Sequence, residues 1–145
     1  MIALIQRVSQ ASVHVEERLV GRIGPGLLAL VAVQPQDNPS RIERMRERLL
    51  GYRVFPDETG RMNRSLTDTG GGLLLVSQFT LAADTAKGMR PSFTTAASPE
   101  HGLHCFQQLV ETCRRHHPTV ETGEFGAHMM VSLVNDGPVT FWLDS

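Results

Sequence analysis

Little in this chain is extreme, and what it lacks narrows the field. Cysteine occurs only twice, as Cys105 and Cys113. Eight residues along one helix amount to about 12 Å of rise, beyond the reach of a disulfide. The pair reads as free thiols, which suits a reducing compartment and a cytoplasmic location. No run approaches membrane-spanning length, and the opening Met1-Ile2-Ala3-Leu4-Ile5-Gln6-Arg7 has no signal-peptide core, so no membrane partner is expected. A basic excess is missing as well: 14 Lys and Arg face 15 Asp and Glu, for a formal net charge of −1 and a pI near 6.6. That excludes sequence-independent binding of a polyanion over the whole surface. A nucleic-acid partner would have to be gripped locally.

Two kinds of chemistry are also short of parts. His101 and His104 lie one turn apart near Cys105, but no carboxylate-bearing ligand signature accompanies them; they read as surface histidines, with no metal and no cofactor expected. No G-x-S-x-G elbow occurs, which disfavours a serine-hydrolase triad.

What remains is a core. With 145 residues and 41% hydrophobic content the chain suits one compact domain spanning 1–145. Residues 2–8 and 11–16 alternate as strands, with Ser12, His14 and Glu16 against Val13 and Val15; a hairpin tip is expected at Glu17-Arg18. Leu27 to Val33 reads as a central, doubly covered strand. From Asn38-Pro39-Ser40 the spacing of Ile42, Met45, Leu49 and Tyr52 predicts a helix, with Ser40 and Glu43 able to form a capping box. Its other face, Arg41, Arg44, Arg46 and Arg48 among Glu43 and Glu47, reads as solvated. Gly51 to Phe55 reads as a return to strand. A second long helix is predicted from the N-cap Ser98 to about 116, burying Leu103, Phe106, Val110 and Cys113 and closed by Arg114-Arg115-His116-His117, whose charge complements the dipole. Val120 to Glu124 and Met129 to Leu143 complete the sheet. The single tryptophan, Trp142, reads as core or dimer-interface packing. The fold class is α+β, an antiparallel-rich sheet curled toward a barrel or roll with two long helices on one side.

Two polar segments interrupt this core pattern. Gly70-Gly71-Gly72 leads into the buried strand Leu73 to Val76, and Ser77-Gln78-Phe79-Thr80-Leu81 follows at its end. Hydroxyls, an amide, an aromatic wall and the backbone N–H groups of a turn can form an oxyanion cradle, although no general base stands beside them. Near the end of the chain, Asn135-Asp136-Gly137-Pro138 separates two β-branched strand segments. A Gly-Pro bond can be trans in an ordinary turn, or cis, in which case both flanking carbonyls can point into a pocket. Arg7, in an otherwise apolar strand, either snorkels to solvent or pairs with carbonyl oxygens at an interface.

Ser77 to Asp84 together with Asn135 to Thr140 resembles the signature pair of the D-aminoacyl-tRNA deacylases, the D-tyrosyl-tRNA deacylase family. Met1 to Val8, Lys87-Gly88-Met89-Arg90-Pro91-Ser92-Phe93, and Thr122-Gly123 through Phe125-Gly126-Ala127 are similar too, so the resemblance spans nearly the whole chain. One departure is His128, where the family pattern has an acidic residue. The resemblance implies a homodimer in which a cis Gly137-Pro138 bond reaches into the other subunit's pocket and excludes L-amino acids, with Arg7 holding the opposing Gly-Pro carbonyls. It implies that Ser77, Gln78, Phe79 and Thr80 line the scissile ester and that Phe125 and Met129 wall the terminal adenosine. The implied reaction is hydrolysis of the ester joining a D-amino acid to the tRNA 3′ ribose, with glycyl-tRNA partly escaping the chiral filter. Two mechanisms stay open: Thr80 as nucleophile, or backbone N–H groups near Phe79 and Thr80 orienting a water with help from the substrate 2′-hydroxyl. The alternatives are a non-catalytic module that binds RNA 3′ ends, and a small structural dimer.

Overall fold

The computed structural model covers residues 1–145. Its spine is β1 (Ile2–Val15), which pairs antiparallel with β2 (Arg18–Ile23), β3 (Gly26–Ala32) and β8 (Met130–Asp144). Two parallel pairings then extend the sheet, from β3 to β6 (Gly72–Ser77) and from β6 to β7 (Val120–Thr122). The order is β2-β1-β3-β6-β7, with β8 along the remaining edge of β1. The parallel pairs require long crossovers. These hold α1 (Pro39–Gly51) and α3 (Pro99–His116), together with the small β4 (Phe55–Pro56) and β5 (Met62–Arg64) hairpin and the one-turn α2 (Leu66–Thr69).

Alternation along the strands divides the core in two. Leu27, Ala29, Val31, Leu73 and Leu75 face the long helices, meeting Met45, Leu49, Phe106, Leu109 and Cys113. Leu28, Leu74 and Val76 face the other way, onto Val8, Ala11, Val13 and Ile23. In β1, Ala3 and Ile5 lie on the helix side, whereas Ala11 and Val13, of the same parity, lie on the other. A strand that keeps strict period two cannot do this. The register shifts around Val8 in its pairing with β8 supply the change, bending β1 so that the sheet curls around the second core. The curl nearly closes at β2 and β7, where a side chain at Gly21 would sit 2.3 Å from the Thr122 carbonyl oxygen.

Several local expectations need correction. The two strands at 2–8 and 11–16 are one, and the hairpin tip is Glu16-Glu17, both at positive φ, with Arg18 already in β2. Asn38, not Ser40, caps α1: its side chain accepts the Arg41 N–H at 3.0 Å, and Pro39 takes the first helical position. Such a cap is worth about 1 kcal/mol. Glu43 is instead engaged through its carboxylate, by Arg46 and by the Thr112 hydroxyl of α3 at 3.1 Å, and these bonds lower its pKa. Gly51 ends α1, and only Phe55–Pro56 is strand. Ser98 caps α3 as predicted, but Leu103 is exposed and Leu109 takes the buried place. Trp142 is half exposed and so is not core within the subunit. Both thiols are free and buried, and desolvation pushes Cys113 up to about 12. No helix is long and apolar enough to cross a membrane.

Candidate active site

The buried leucine run of β6 ends at Ser77, and the chain turns at once into a short 3-10 turn, Phe79–Ala82. Its first N–H groups have no earlier carbonyl in the turn to reach, so those of Phe79 and Thr80 are left without an acceptor. Gln78 is held from behind, its N–H donating to the Val31 carbonyl at 2.7 Å. The Gln78 amide is the one side chain bonded to the Thr80 hydroxyl oxygen. An amide is no base, so the hydroxyl has no group positioned to deprotonate it. Phe79 is largely exposed and packs its ring against Phe93 at 5.2 Å between centroids. The result is a solvent-facing rim with two free backbone donors, a hydroxyl and an aromatic wall.

Because β6 and β7 are parallel, with Leu75 opposite Thr122, the segments that follow them leave the sheet at the same end. This brings residues 123–129 to the rim side. Phe125 rests on Phe106 of α3 at 6.1 Å, and the Met129 sulfur accepts the Glu124 N–H at 3.4 Å while lying against Gly123 and Val13. His128 is exposed beside Met129.

The second polar segment is built differently. β8 is one strand, not two: Thr140 pairs with Gln6 and Asn135 with Val8, so 136–139 bulge out of the ladder. The Gly137-Pro138 bond in that bulge is cis. Asn135 clamps its neck, donating its amide to the carbonyls of Arg7 at 2.9 Å and Val139 at 3.0 Å, while Thr140 donates to the Asn135 Oδ1. Arg7 does not snorkel. It donates Nε to the Asp136 carbonyl at 3.0 Å and Nη1 to the Val54 carbonyl at 2.8 Å, and pairs with the Asp136 carboxylate at 3.5 Å. Arg7 thus holds its own chain's bulge, one residue before the Gly-Pro bond. The clamping role of Asn135 was missed in the sequence; its signal was an amide residue at the entrance to Gly-Pro.

The two segments do not meet within the subunit. Ser77 is level with Val31 of β3, whereas the bulge is level with Arg7 and hence with Leu27 and Leu73. Four residues along the strand and three strand spacings across it separate them by about 20 Å. The bulge is exposed. The other edge of β8 has no partner strand, and Met130, Leu133, Val134 and Trp142 are exposed along it. A hollow of about 460 Å³ lined by His14, Arg22, Leu133 and Val134 lies on this side.

Comparison with known proteins accounts for the whole chain. A sequence profile described as D-Tyr-tRNA(Tyr) deacylase matches residues 4–144. The D-aminoacyl-tRNA deacylase of Stenotrophomonas maltophilia strain K279a is 71% identical over 144 residues, 99% of this chain and of that protein. That of Xanthomonas campestris pv. campestris strain 8004 is 67% identical over the same share. A solved structure described as c-Myc DNA Unwinding Element Binding Protein superposes with a TM-score of 0.96 at 36% identity, covering 100% of this chain and 99% of that one. A probable eukaryotic D-amino acid tRNA deacylase, 18% identical with a TM-score of 0.83 over 99% and 98%, shares the fold.

Proposed function

The chain belongs to the D-Tyr-tRNA(Tyr) deacylase family, and from that premise we propose that it works as a homodimer whose two polar segments complete each other across the interface. As a D-aminoacyl-tRNA deacylase it is a hydrolase of the ester between amino acid and tRNA. The observation that carries the cross-subunit reading is the separation of the exposed bulge from the rim of its own subunit. A rigid loop that cannot reach its own site, beside an unpaired apolar strand edge, fits insertion into a second copy. Burial of Met130, Leu133, Val134 and Trp142 against that copy would cover the edge.

In this reading the ester carbonyl lies on the rim. The free N–H groups of Phe79 and Thr80 receive the oxyanion that forms when water adds to the ester carbonyl; the substrate 2′-hydroxyl takes a proton from that water while passing its own to the 3′ oxygen, which departs as the C–O bond breaks. Thr80 is not the nucleophile, because its only side-chain partner is an amide. Phe125 and Met129 line the adenosine side. Gly137 and Pro138 of the opposite subunit close the pocket with backbone, which rejects the side chain of an L-amino acid by clash and is indifferent to that of a D-amino acid. Glycine has nothing to reject, so glycyl-tRNA is also hydrolysed. Buried free thiols suit a reducing cytoplasm.

The test is the decay of D-Tyr-tRNA, L-Tyr-tRNA and Gly-tRNA with catalytic amounts of protein. Rapid loss of the D-ester and the glycyl ester with the L-ester spared is expected. Equal decay of all three, or none, would remove the chiral reading. Mixing then tests the sharing of sites: Thr80→Trp blocks the rim and Gly137→Ala distorts the bulge, and each alone keeps about a hundredth of the activity or less. After subunit exchange, half the dimers are mixed and each has one intact site, so about a quarter of the activity returns. Two variants that gain no activity when mixed would place both segments in one subunit's site.

A further inference from the structure

Residues 84–92 form an arm that the reading above does not use. Its ends are closed by two backbone bonds, Asp84 N–H to Ser92 carbonyl at 2.8 Å and Ser92 N–H to Asp84 carbonyl at 2.9 Å. Its root is fixed to the rim. The arm leaves directly from the 3-10 turn that holds Thr80, Phe93 packs on Phe79, and the Thr95 hydroxyl donates to the Ala82 carbonyl at 2.5 Å. Between these anchors nothing is buried: residues 84–91 are all exposed, and Met89 is 100% so.

The arm carries the cations Lys87 and Arg90, neither of which takes part in an ion pair. Lys87 is the only lysine in the chain. The nearest acid in sequence, Asp84, spends a carboxylate oxygen on the Ala86 N–H at 2.9 Å. Two unpaired cations on a projection rooted at the rim match one feature of the substrate. The 3′ strand of a tRNA carries a phosphate for each nucleotide leading away from the esterified ribose. A protein with a net charge of −1 must find such phosphates with a few placed cations.

We infer that the 84–92 arm grips the single-stranded 3′ end of tRNA, with Lys87 and Arg90 each neutralising a phosphate upstream of the terminal adenosine while the ester lies on the rim. The inference rests on the deacylase reading and deepens it. Lys87 and Arg90 are positioning residues: they touch the polymer and not the reacting atoms.

The test compares wild type with a Lys87→Ala, Arg90→Ala double variant on two substrates, D-Tyr-tRNA and D-tyrosyl-adenosine, which has the same ester without the upstream phosphates. For D-Tyr-tRNA, KM rises roughly tenfold with kcat within about twofold, and the slope of log affinity against log salt becomes shallower by about 0.7 for each cation removed. Hydrolysis of D-tyrosyl-adenosine is unchanged, and Lys87→Arg behaves as wild type on both. Equal losses on both substrates would mean that the arm merely supports Phe79, and no change on either would remove the grip; both outcomes overturn the inference. If wild type hydrolyses neither ester, the deacylase reading is what fails. The grip then stands or falls on a separate measurement, whether uncharged tRNA slows acylation of the single lysine by an amine-reactive reagent; unslowed acylation overturns it.

Discussion

At the rim after β6 the chain offers donors, and at the bulge of β8 it offers acceptors. The rim follows from an interruption: a buried strand stops at Ser77, a tight turn begins, and the N–H groups of Phe79 and Thr80 are left over. The bulge follows from an insertion, four residues held out of a ladder by the Asn135 amide and the Arg7 guanidinium. One is a consequence of where secondary structure ends, and the other of side chains spent on fixing backbone. The rim contains no ionisable group, and the bulge's one carboxylate, Asp136, is paired with Arg7. For an activated ester that is enough, provided the donors stabilise developing charge and the acceptors decide which substrate fits.

The largest effect should come from the bulge. A side chain at Gly137 would lie 2.6 Å from the Val139 Cγ2, at a φ of +142 that L-residues rarely adopt. Gly137→Ala therefore displaces the tip, and D-ester hydrolysis falls about a hundredfold with little change in Tm, as steady-state kinetics and thermal melting would register. A similar loss of Tm would make the bulge a structural feature only. Next is the unpaired edge of β8, the proposed dimer contact. Val134→Asp on β8 weakens self-association at least about tenfold, seen by sedimentation, and activity then depends on protein concentration. Activity that persists in a monomer would break the comparison, because the two regions would no longer need each other.

The clamp should give a smaller loss. Asn135→Ala leaves the carbonyls of Arg7 and Val139 without their donor, costing about 1–3 kcal/mol. Combined with Arg7→Met it should show strong non-additivity in D-ester hydrolysis, since both residues fix the same four-residue bulge. The smallest effect is expected at the rim's most reactive-looking side chain. Thr80→Ala keeps D-ester hydrolysis within about threefold, because the backbone donors survive the change. A loss of several hundredfold with a trapped acyl-enzyme in the wild type would instead make the hydroxyl the nucleophile.

Much of the sheet could be read in advance because burial on a pleated surface has a fixed period. Leu27 to Val33 and Leu73 to Val76 alternate between two cores as their continuous apolar character required. The cap of α3 was equally legible, since Ser98-Pro99 is a local signal satisfied within one turn. The cap of α1 was not, because Asn38 and Ser40 are both good caps and only the Arg41 N–H distance distinguishes them. Leu103 and Leu109 are both apolar on one amphipathic helix, and which of them is buried depends on the angle at which α3 meets α1 and the sheet. The site residues drew attention through chemistry and family resemblance, but Asn135's double bond to backbone depends on β1 lying alongside.

Composition and pattern by themselves determined that this chain builds apolar strands and two amphipathic helices, and that polar segments interrupt the strand pattern after β6 and before Pro138. These follow from local propensity and periodicity, which act over a few residues. Only the tertiary structure decided that the two concentrations lie at opposite ends of the strands. That depends on strand order and on the register of β1 with β3 and β8, which are set by pairing between segments distant in sequence, from Val8 with Gly26 to Ile2 with Asp144.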